Sequence, residues 1–146
     1  MTLLLDTDLC IDLIRGRRRE VRAAFLRRAA SDGPLGVSAA TLLELVQGVR
    51  RSAPEHRATN QARLDAFREG PVEVLPFDPE DAEATGALAA VLQDRGLAIG
   101  PYDTMIAGQA LRRGLTVVTS NARHFGRVPG LATEGWRDPA APPTPP

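Results

Sequence analysis

The chain contains no lysine, and all 18 of its basic residues are Arg. This absence excludes any chemistry that needs a lysine amine. Cys10 is the only cysteine, so the chain cannot form an internal disulfide, which suits a reducing compartment. Because Cys10 lies in the apolar run Leu9-Cys10-Ile11, we expect a packed, unreactive thiol. We also expect a cytoplasmic protein.

Long hydrophobic segments are missing as well. No run of 18 apolar residues occurs, and no charged region precedes an apolar stretch near the N-terminus. We therefore expect neither a membrane span nor a signal peptide. The net charge is zero. Arg outnumbers the acids in residues 1–70 and 101–146, whereas acids predominate in residues 71–100, and this distribution permits a basic face.

Short apolar strands alternate with helical segments along the chain. Strands are predicted at residues 3–5, 35–37, 72–75 and 115–119, with a short edge strand at 131–134. This alternation predicts one α/β domain over residues 1–137, with a mainly parallel sheet of four to five strands and helices on both faces. Residues 138–146 are rich in Pro and Ala, and we expect a disordered tail there.

Three acids lie beside strongly apolar sequence near the predicted element boundaries. Asp6 ends the first strand, Glu44 interrupts a helix after the second strand, and Asp103 lies in the first turn of a later helix. An apolar stripe of the helix that carries Glu44 is predicted to face the core: Leu42, Leu45, Val46 and Val49. Asn121 follows the fourth strand. Since ligands bind at the carboxyl ends of parallel strands, we expect these four polar residues to converge on one cleft.

Carboxylates that lie close together repel one another, and a divalent cation reverses this effect. A set of oxygen ligands without His or Cys indicates magnesium or manganese, which suits phosphodiester or phosphoryl chemistry. Each residue also has a structural explanation. Asp6 can cap a helix, Glu44 can face solvent, Asp103 can be favoured by a helix dipole, and Asn121 can be a turn residue. Their combination favours a site.

Four segments resemble the PIN-domain ribonucleases, and within them the VapC toxins of type II toxin–antitoxin pairs. These segments are Leu5-Asp6-Thr7-Asp8, Val37 to Leu45 together with Gly48, Asp103-Thr104-Met105-Ile106-Ala107, and Val118 to Phe125. The endings Val128-Pro129-Gly130-Leu131 and Gly135-Trp136 are also similar. The resemblance covers residues 2–137 and implies a PIN-like fold over the predicted domain.

The resemblance implies that Asp6, Glu44 and Asp103 bind Mg²⁺, with Mn²⁺ as a possible substitute, and activate water for RNA cleavage. Asn121 falls at the fourth position of the acidic site. The products expected from such cleavage carry 5′-phosphate and 3′-hydroxyl ends. The resemblance further implies a homodimer, an RNA substrate such as tRNA or rRNA, and a VapB-like antitoxin that fills the cleft.

Further residues are predicted to support the site. Ser38 and Thr41 are expected to hydrogen-bond the carboxylates, and Asp8 is expected to support the site without binding the ion directly. Four arginines can hold RNA phosphates, although a solvated helix end explains them equally well: Arg15, Arg17, Arg18 and Arg19. His124 stands where many relatives have Asp, and we expect a partly exposed imidazole.

Two other functions compete with a nuclease. Asp6-Thr7-Asp8 also suits a phosphatase of the haloacid dehalogenase type that uses Asp6 as its nucleophile, but such enzymes normally use a lysine as well. A catalytically inactive PIN-like module that binds only RNA or a protein is the other alternative. The complete set of Asp6, Glu44 and Asp103 speaks against it.

Overall fold

The structure, a computed structural model, describes residues 1–137. The predicted Pro/Ala-rich tail at residues 138–146 lies outside this range. Five strands form the sheet: β1 (Leu3–Leu5), β2 (Leu35–Ser38), β3 (Val72–Leu75), β4 (Thr116–Val118) and β5 (Thr133–Glu134). The helices are α1 (Thr7–Arg15), α2 (Arg19–Asp32), α3 (Ala39–Arg51), α4 (Pro54–Glu69), α5 (Pro79–Asp94), α6 (Pro101–Arg113) and α7 (Ala122–Phe125).

The strand order is β3-β2-β1-β4-β5, and every strand pairs in parallel with its neighbours. The central strand β1 pairs Leu4 with Gly36 of β2 on one side and with Val117 of β4 on the other. The chain builds outward from β1 through β2 to β3, then returns to the opposite side of β1 for β4. This reversal produces a topological switch point at the carboxyl ends of β1 and β4, where a ligand cleft is expected.

Helices cover both faces of the sheet, as predicted. Successive side chains of β1 point to opposite faces, so Leu3 and Leu5 join one core and Leu4 the other. The first core contains residues of α1, α2, α3 and α4, and the second contains residues of α5 and α6. Cys10 is fully buried in the first core, and burial raises the pKa of its thiol.

Local sequence explains where several helices begin and end. Asp78 and Asp81 form a capping box at the start of α5, with Pro79 at the first helical position. Gly16 and Gly114 end α1 and α6 with φ angles of 63° and 65°, which an L side chain rarely adopts.

A buried carboxylate links α5 to α6. Asp81 is fully buried and accepts hydrogen bonds from Gln109, Arg112 and Arg113. Burial by itself would raise the pKa of Asp81, but the hydrogen bonds from Arg113 and Arg112 outweigh it and lower the pKa. These contacts fix α6, the helix that carries Asp103, against α5.

Strands β4 and β5 are shorter than the predicted ranges 115–119 and 131–134. Two details of the helices also differ from the sequence prediction. The single-turn helix α7 was not expected, because four residues are too few to show a helical pattern. The apolar stripe on α3 is correct for the buried Leu45 and Val49 and wrong for Val46, which is 36% exposed. Within residues 1–137, no helix is both long and apolar enough to cross a membrane.

Candidate metal-dependent nuclease site

Asp6 lies directly after β1, at the switch point of the sheet, and only 3% of its surface is exposed. One carboxylate oxygen accepts a hydrogen bond from the Leu9 amide at 2.9 Å and so caps α1. The other accepts a hydrogen bond from the hydroxyl of Thr119, which follows β4. Burial raises the pKa of Asp6 to about 7, although both hydrogen bonds oppose the shift. The Asp6 carboxylate therefore caps α1 and also lies at the predicted site.

Glu44 and Asp103 reach the same edge of the sheet from α3 and α6. The Thr7 hydroxyl lies 2.6 Å from Glu44 Oε1, and Nδ1 of His124 lies 3.5 Å from Asp103 Oδ2. Both acids are partly exposed. Burial raises the pKa of each, while the contacts with Thr7 and His124 lower it in part.

The position of Asp103 follows from chain connectivity. Helix α6 ends at Gly114 and leads into β4, so its last turn lies at the amino edge of the parallel sheet. Its first turn, with Asp103, consequently lies at the carboxyl edge beside Asp6.

Electrostatic coupling connects the acids of this edge. The charge of Asp103 raises the pKa of both Asp6 and Glu44, and the exposed Asp8 raises the pKa of all three. Asp6 and Glu44 therefore both lie close enough to Asp103 to be affected by its charge. Asp8 acts on them by its charge.

The donor chemistry of the site fits a hard divalent cation, because the ligands are oxygen atoms whose mutual repulsion a cation offsets. In the part of the chain that the structure describes, however, no three His, Cys, Asp or Glu side chains are arranged as a ready-made metal-binding group. Each of these acids instead contacts a side chain of the same chain. Thr119 contacts Asp6, Thr7 contacts Glu44, and His124 contacts Asp103. Binding a cation would require Glu44 and Asp103, the two partly exposed acids, to reorient.

Asn121 lies beside the acids but is engaged locally. Its side-chain oxygen accepts a hydrogen bond from the His124 amide at 3.4 Å and caps α7. The backbone amide of Asn121 donates a hydrogen bond to the Thr119 hydroxyl at 2.8 Å. His124 is partly exposed, with 42% of its side chain accessible, as expected. The role of Asn121 as a ligand stays a prediction.

The supporting residues differ in how they reach the site. The Thr41 hydroxyl is 3.1 Å from that of Thr7 and thus one contact away from Glu44. The predicted hydrogen bond from Ser38 to a carboxylate is replaced by one from the Ala40 amide at 3.1 Å. Ser38 caps α3 because it is the last residue of β2, where the helical amides lie within its reach.

Thr7 and Thr119 are the site residues that sequence reasoning missed. Both contact a carboxylate of the site, yet neither was predicted to be a site residue. A signal was present, since each hydroxyl residue stands within two positions of the end of β1 or β4. These strands flank the switch point.

The four arginines proposed for RNA do not share one environment. Arg15, Arg17 and Arg19 are exposed at the end of α1 and the start of α2. Arg18 instead forms an ion pair with the buried Asp12 at 3.2 Å. Arg15 lines a groove that also contains Glu44.

Comparison with known proteins assigns the chain to a family. Residues 3–131 match the PIN domain. The tRNA(fMet)-specific endonuclease VapC of Shigella flexneri is 40% identical over 133 residues, which cover 91% of this chain and 96% of that protein. Chains of two solved complexes superpose with TM-scores of 0.85. They are VapBC from Salmonella typhimurium bound to DNA, at 37% identity, and VapBC2 from Rickettsia felis bound to a promoter fragment, at 31% identity.

Both superpositions cover 94% of this chain and at least 99% of the matched chain. The similarity therefore includes every strand and helix that contributes to the site. The alternative of a haloacid dehalogenase-type phosphatase is wrong, because the fold matched over nearly the whole length is that of a PIN domain. The chain belongs to the PIN domain family and, within it, to the VapC ribonucleases.

Proposed function

We propose that this protein is a magnesium-dependent endoribonuclease and the toxin of a VapBC-type toxin–antitoxin pair. The observation that carries the proposal is the convergence of Asp6, Glu44 and Asp103 at the switch point of the sheet. Family membership supports it, since the relatives of this chain are named ribonucleases and endonucleases.

Asp6, Glu44 and Asp103 would hold the ion, and the side-chain oxygen of Asn121 can add a neutral ligand. A bound Mg²⁺ lowers the pKa of water and neutralises charge on the phosphate, and Mn²⁺ has similar ligand preferences. The protein contributes one carboxylate, that of Asp6, in a fixed position. Thr119 and the Leu9 amide hold Asp6.

The proposed reaction is hydrolysis of an RNA phosphodiester. A water oxygen bonds to phosphorus as the bond from phosphorus to the 3′ oxygen breaks. The water proton ends on the 3′ oxygen. This leaves a 5′-phosphate on one fragment and a 3′-hydroxyl on the other.

The proposed substrate is a transfer RNA. Relatives from Shigella flexneri and Salmonella typhimurium, each 40% identical over more than nine tenths of both chains, are named tRNA(fMet)-specific endonucleases. Ribosomal RNA is the alternative substrate that the experiment below distinguishes. The proposed place of action is the cytoplasm.

The proposed partners are a VapB-like antitoxin and a second copy of this chain. The solved complexes that this fold resembles are toxin–antitoxin complexes, two of them bound to DNA. Leu43 and Val46 are three residues apart on α3 and are 48% and 36% exposed. This apolar strip supports a homodimer, because contact with another chain would remove it from water.

Incubation of the purified protein with total RNA and Mg²⁺ tests the proposal, with Asp6→Asn as the inactive control and a chelator as the second control. Sequencing of the RNA ends is expected to locate cleavage in a tRNA, at ends that carry 5′-phosphate. Equal cleavage by both proteins would refute the assigned site.

An inactive module that only binds RNA would show no cleavage under any of these conditions. In cells, we expect co-expression of the neighbouring gene to relieve the growth arrest caused by this chain. Expression of the chain alone without any effect on growth would contradict the toxin assignment.

A further inference from the structure

Gly48 is an exposed glycine inside α3, where glycine destabilises a helix relative to alanine. Packing does not require it, because a Cβ added at this position would meet no atom within 4 Å. Gly108 of α6 is different, since a Cβ there would lie 2.8 Å from the Cα of Thr85. The open space at Gly48 therefore calls for an explanation other than close helix contact.

This space belongs to a groove between α1, α3 and α4, here called the α1–α4 groove. Its apolar lining is formed by Ile11, Ile14, Leu45, Val49 and Leu64, and its polar lining by Arg15, Glu44, Asn60 and Arg63. The groove has a volume of about 110 Å³. An enclosed apolar cavity of about 150 Å³ holds one benzene molecule, so a ring that enters this smaller, half-open groove would be only partly enclosed.

One end of the α1–α4 groove is the proposed cleavage site. Glu44 lines the groove, and the hydroxyl of Thr7, the residue next to Asp6, contacts its carboxylate. A ligand seated in the groove would consequently lie beside Glu44, an acid of the proposed site.

The polar groups of the groove suit a nucleotide. Arg15 and Arg63 are exposed, and within residues 1–137 neither takes part in a salt bridge. In contrast, Arg112 and Arg113 are committed to Asp81. Two uncompensated guanidinium groups at the rim match phosphate groups. The amide of Asn60, also without a hydrogen-bond partner in the described part of the chain, can both donate to and accept from a base edge.

We infer that the α1–α4 groove binds one unpaired nucleotide next to the scissile phosphate. This inference rests on the proposed function and adds a determinant of its specificity. The base packs on the aliphatic lining, Asn60 contacts its edge, and Arg15 and Arg63 hold the flanking phosphates. Gly48 keeps the groove open. Proteins that read RNA sequence commonly bind unpaired bases in this way, with the base removed from its stack.

Gly48→Leu tests the inference because Gly48 lines the groove and a Cβ added there meets no atom within 4 Å. Gly86→Leu is the matched control, since Gly86 is exposed in the middle of α5 and its added Cβ also meets nothing within 4 Å. Leucine favours helix over glycine at both positions, so both variants are expected to fold. A second pair is Arg63→Ala against Arg68→Ala, which replaces an exposed arginine of α4 outside the groove.

The binding assay uses short single-stranded RNAs that differ at one position, with every variant in the cleavage-deficient Asp6→Asn background. We expect Gly48→Leu to weaken binding about tenfold and to reduce discrimination among the four bases. Arg63→Ala is expected to weaken binding of all sequences and to lower its salt dependence. Gly86→Leu and Arg68→Ala are expected to bind like the Asp6→Asn parent.

Cleavage assays on proteins that retain Asp6 separate this inference from the proposed function. If the otherwise unchanged protein cleaves RNA and Gly48→Leu cleaves it with the same rate and base preference, the inference is overturned. If Gly48→Leu instead loses only inhibition by a VapB-like antitoxin, the groove docks a protein and the inference is again overturned. Weakened RNA binding by Gly48→Leu, together with no cleavage by the unsubstituted protein, would support nucleotide binding in the groove and refute the proposed nuclease activity.

Discussion

Replacement of Asp6 by Asn is expected to stabilise the metal-free protein at neutral and alkaline pH. Asp6 is 97% inaccessible, and burial raises its pKa from 3.8 to about 7. One pKa unit corresponds to about 1.4 kcal/mol. The ionised carboxylate therefore destabilises the folded protein by about 4 kcal/mol. Asn keeps the shape of Asp and an oxygen that accepts from the Leu9 amide, and it removes the buried charge, although its NH2 group cannot accept the hydrogen bond from Thr119.

The size of the destabilisation by Asp6 depends on pH in a defined way. Below pH 3.8 the folded and unfolded chains both hold the proton, and the carboxyl group causes no penalty. Between pH 3.8 and about 7 the unfolded chain releases the proton while the folded chain retains it, so stability falls as the pH rises. Above about pH 7 both states are ionised, and the full penalty persists.

Thermal unfolding of the two proteins in a chelator measures this difference. At pH 8 the Tm of Asp6→Asn should exceed that of the wild type by roughly 8–16 °C, given about 2–4 °C per kcal/mol for a chain of this size. The gap should narrow steadily toward pH 4. Asp8→Asn is the control, because it removes a nearby charge that is already exposed, and a surface change of this kind is expected to alter stability by less than about 0.5 kcal/mol.

Two results would refute this reasoning. Equal Tm values at pH 8 would mean that the buried charge of Asp6 has no energetic cost, and a gap independent of pH would mean that the gain has another origin. Addition of Mg²⁺ supplies a further check. An ion held by the ionised Asp6 should raise the Tm of the wild type and leave that of Asp6→Asn nearly unchanged.

Three other changes test separate parts of the site. Thr119→Val should lower the RNA cleavage rate about tenfold, since it removes a hydrogen bond to the charged Asp6. Thr119→Ser should retain activity, and equal rates for both variants would contradict a role for the hydroxyl. Asp81→Asn should lower the free energy of unfolding in urea by about 3 kcal/mol, because it breaks a buried ion-pair network; a loss below about 1 kcal/mol would be inconsistent with that network. His124→Ala should raise the pKa of Asp103 by removing a contact that lowers it, so the acidic limb of the pH–rate profile should move to higher pH, and a shift to lower pH would exclude this role.

Local rules were sufficient for the strands and the six longer helices of the fold. The run Leu3–Leu5 predicts a buried strand without any knowledge of its neighbours. Asp78 followed by Pro79 predicts a helix start, because capping depends on residues only three positions apart. The family motifs also identified Asp6, Glu44 and Asp103 as a group.

The sequence by itself thus determined the strands, the longer helices and the cap of α5, since these depend on hydrogen bonds and side-chain patterns within a few residues. The tertiary structure alone decided which hydroxyl contacts which acid. Thr119 and Asp6 are 113 positions apart, and they meet only because β4 returns to the side of β1. It likewise decided that Arg18 is paired with Asp12 and that Gly48 opens onto a groove beside Glu44. No local pattern encodes such contacts, because they depend on which distant surfaces pack together.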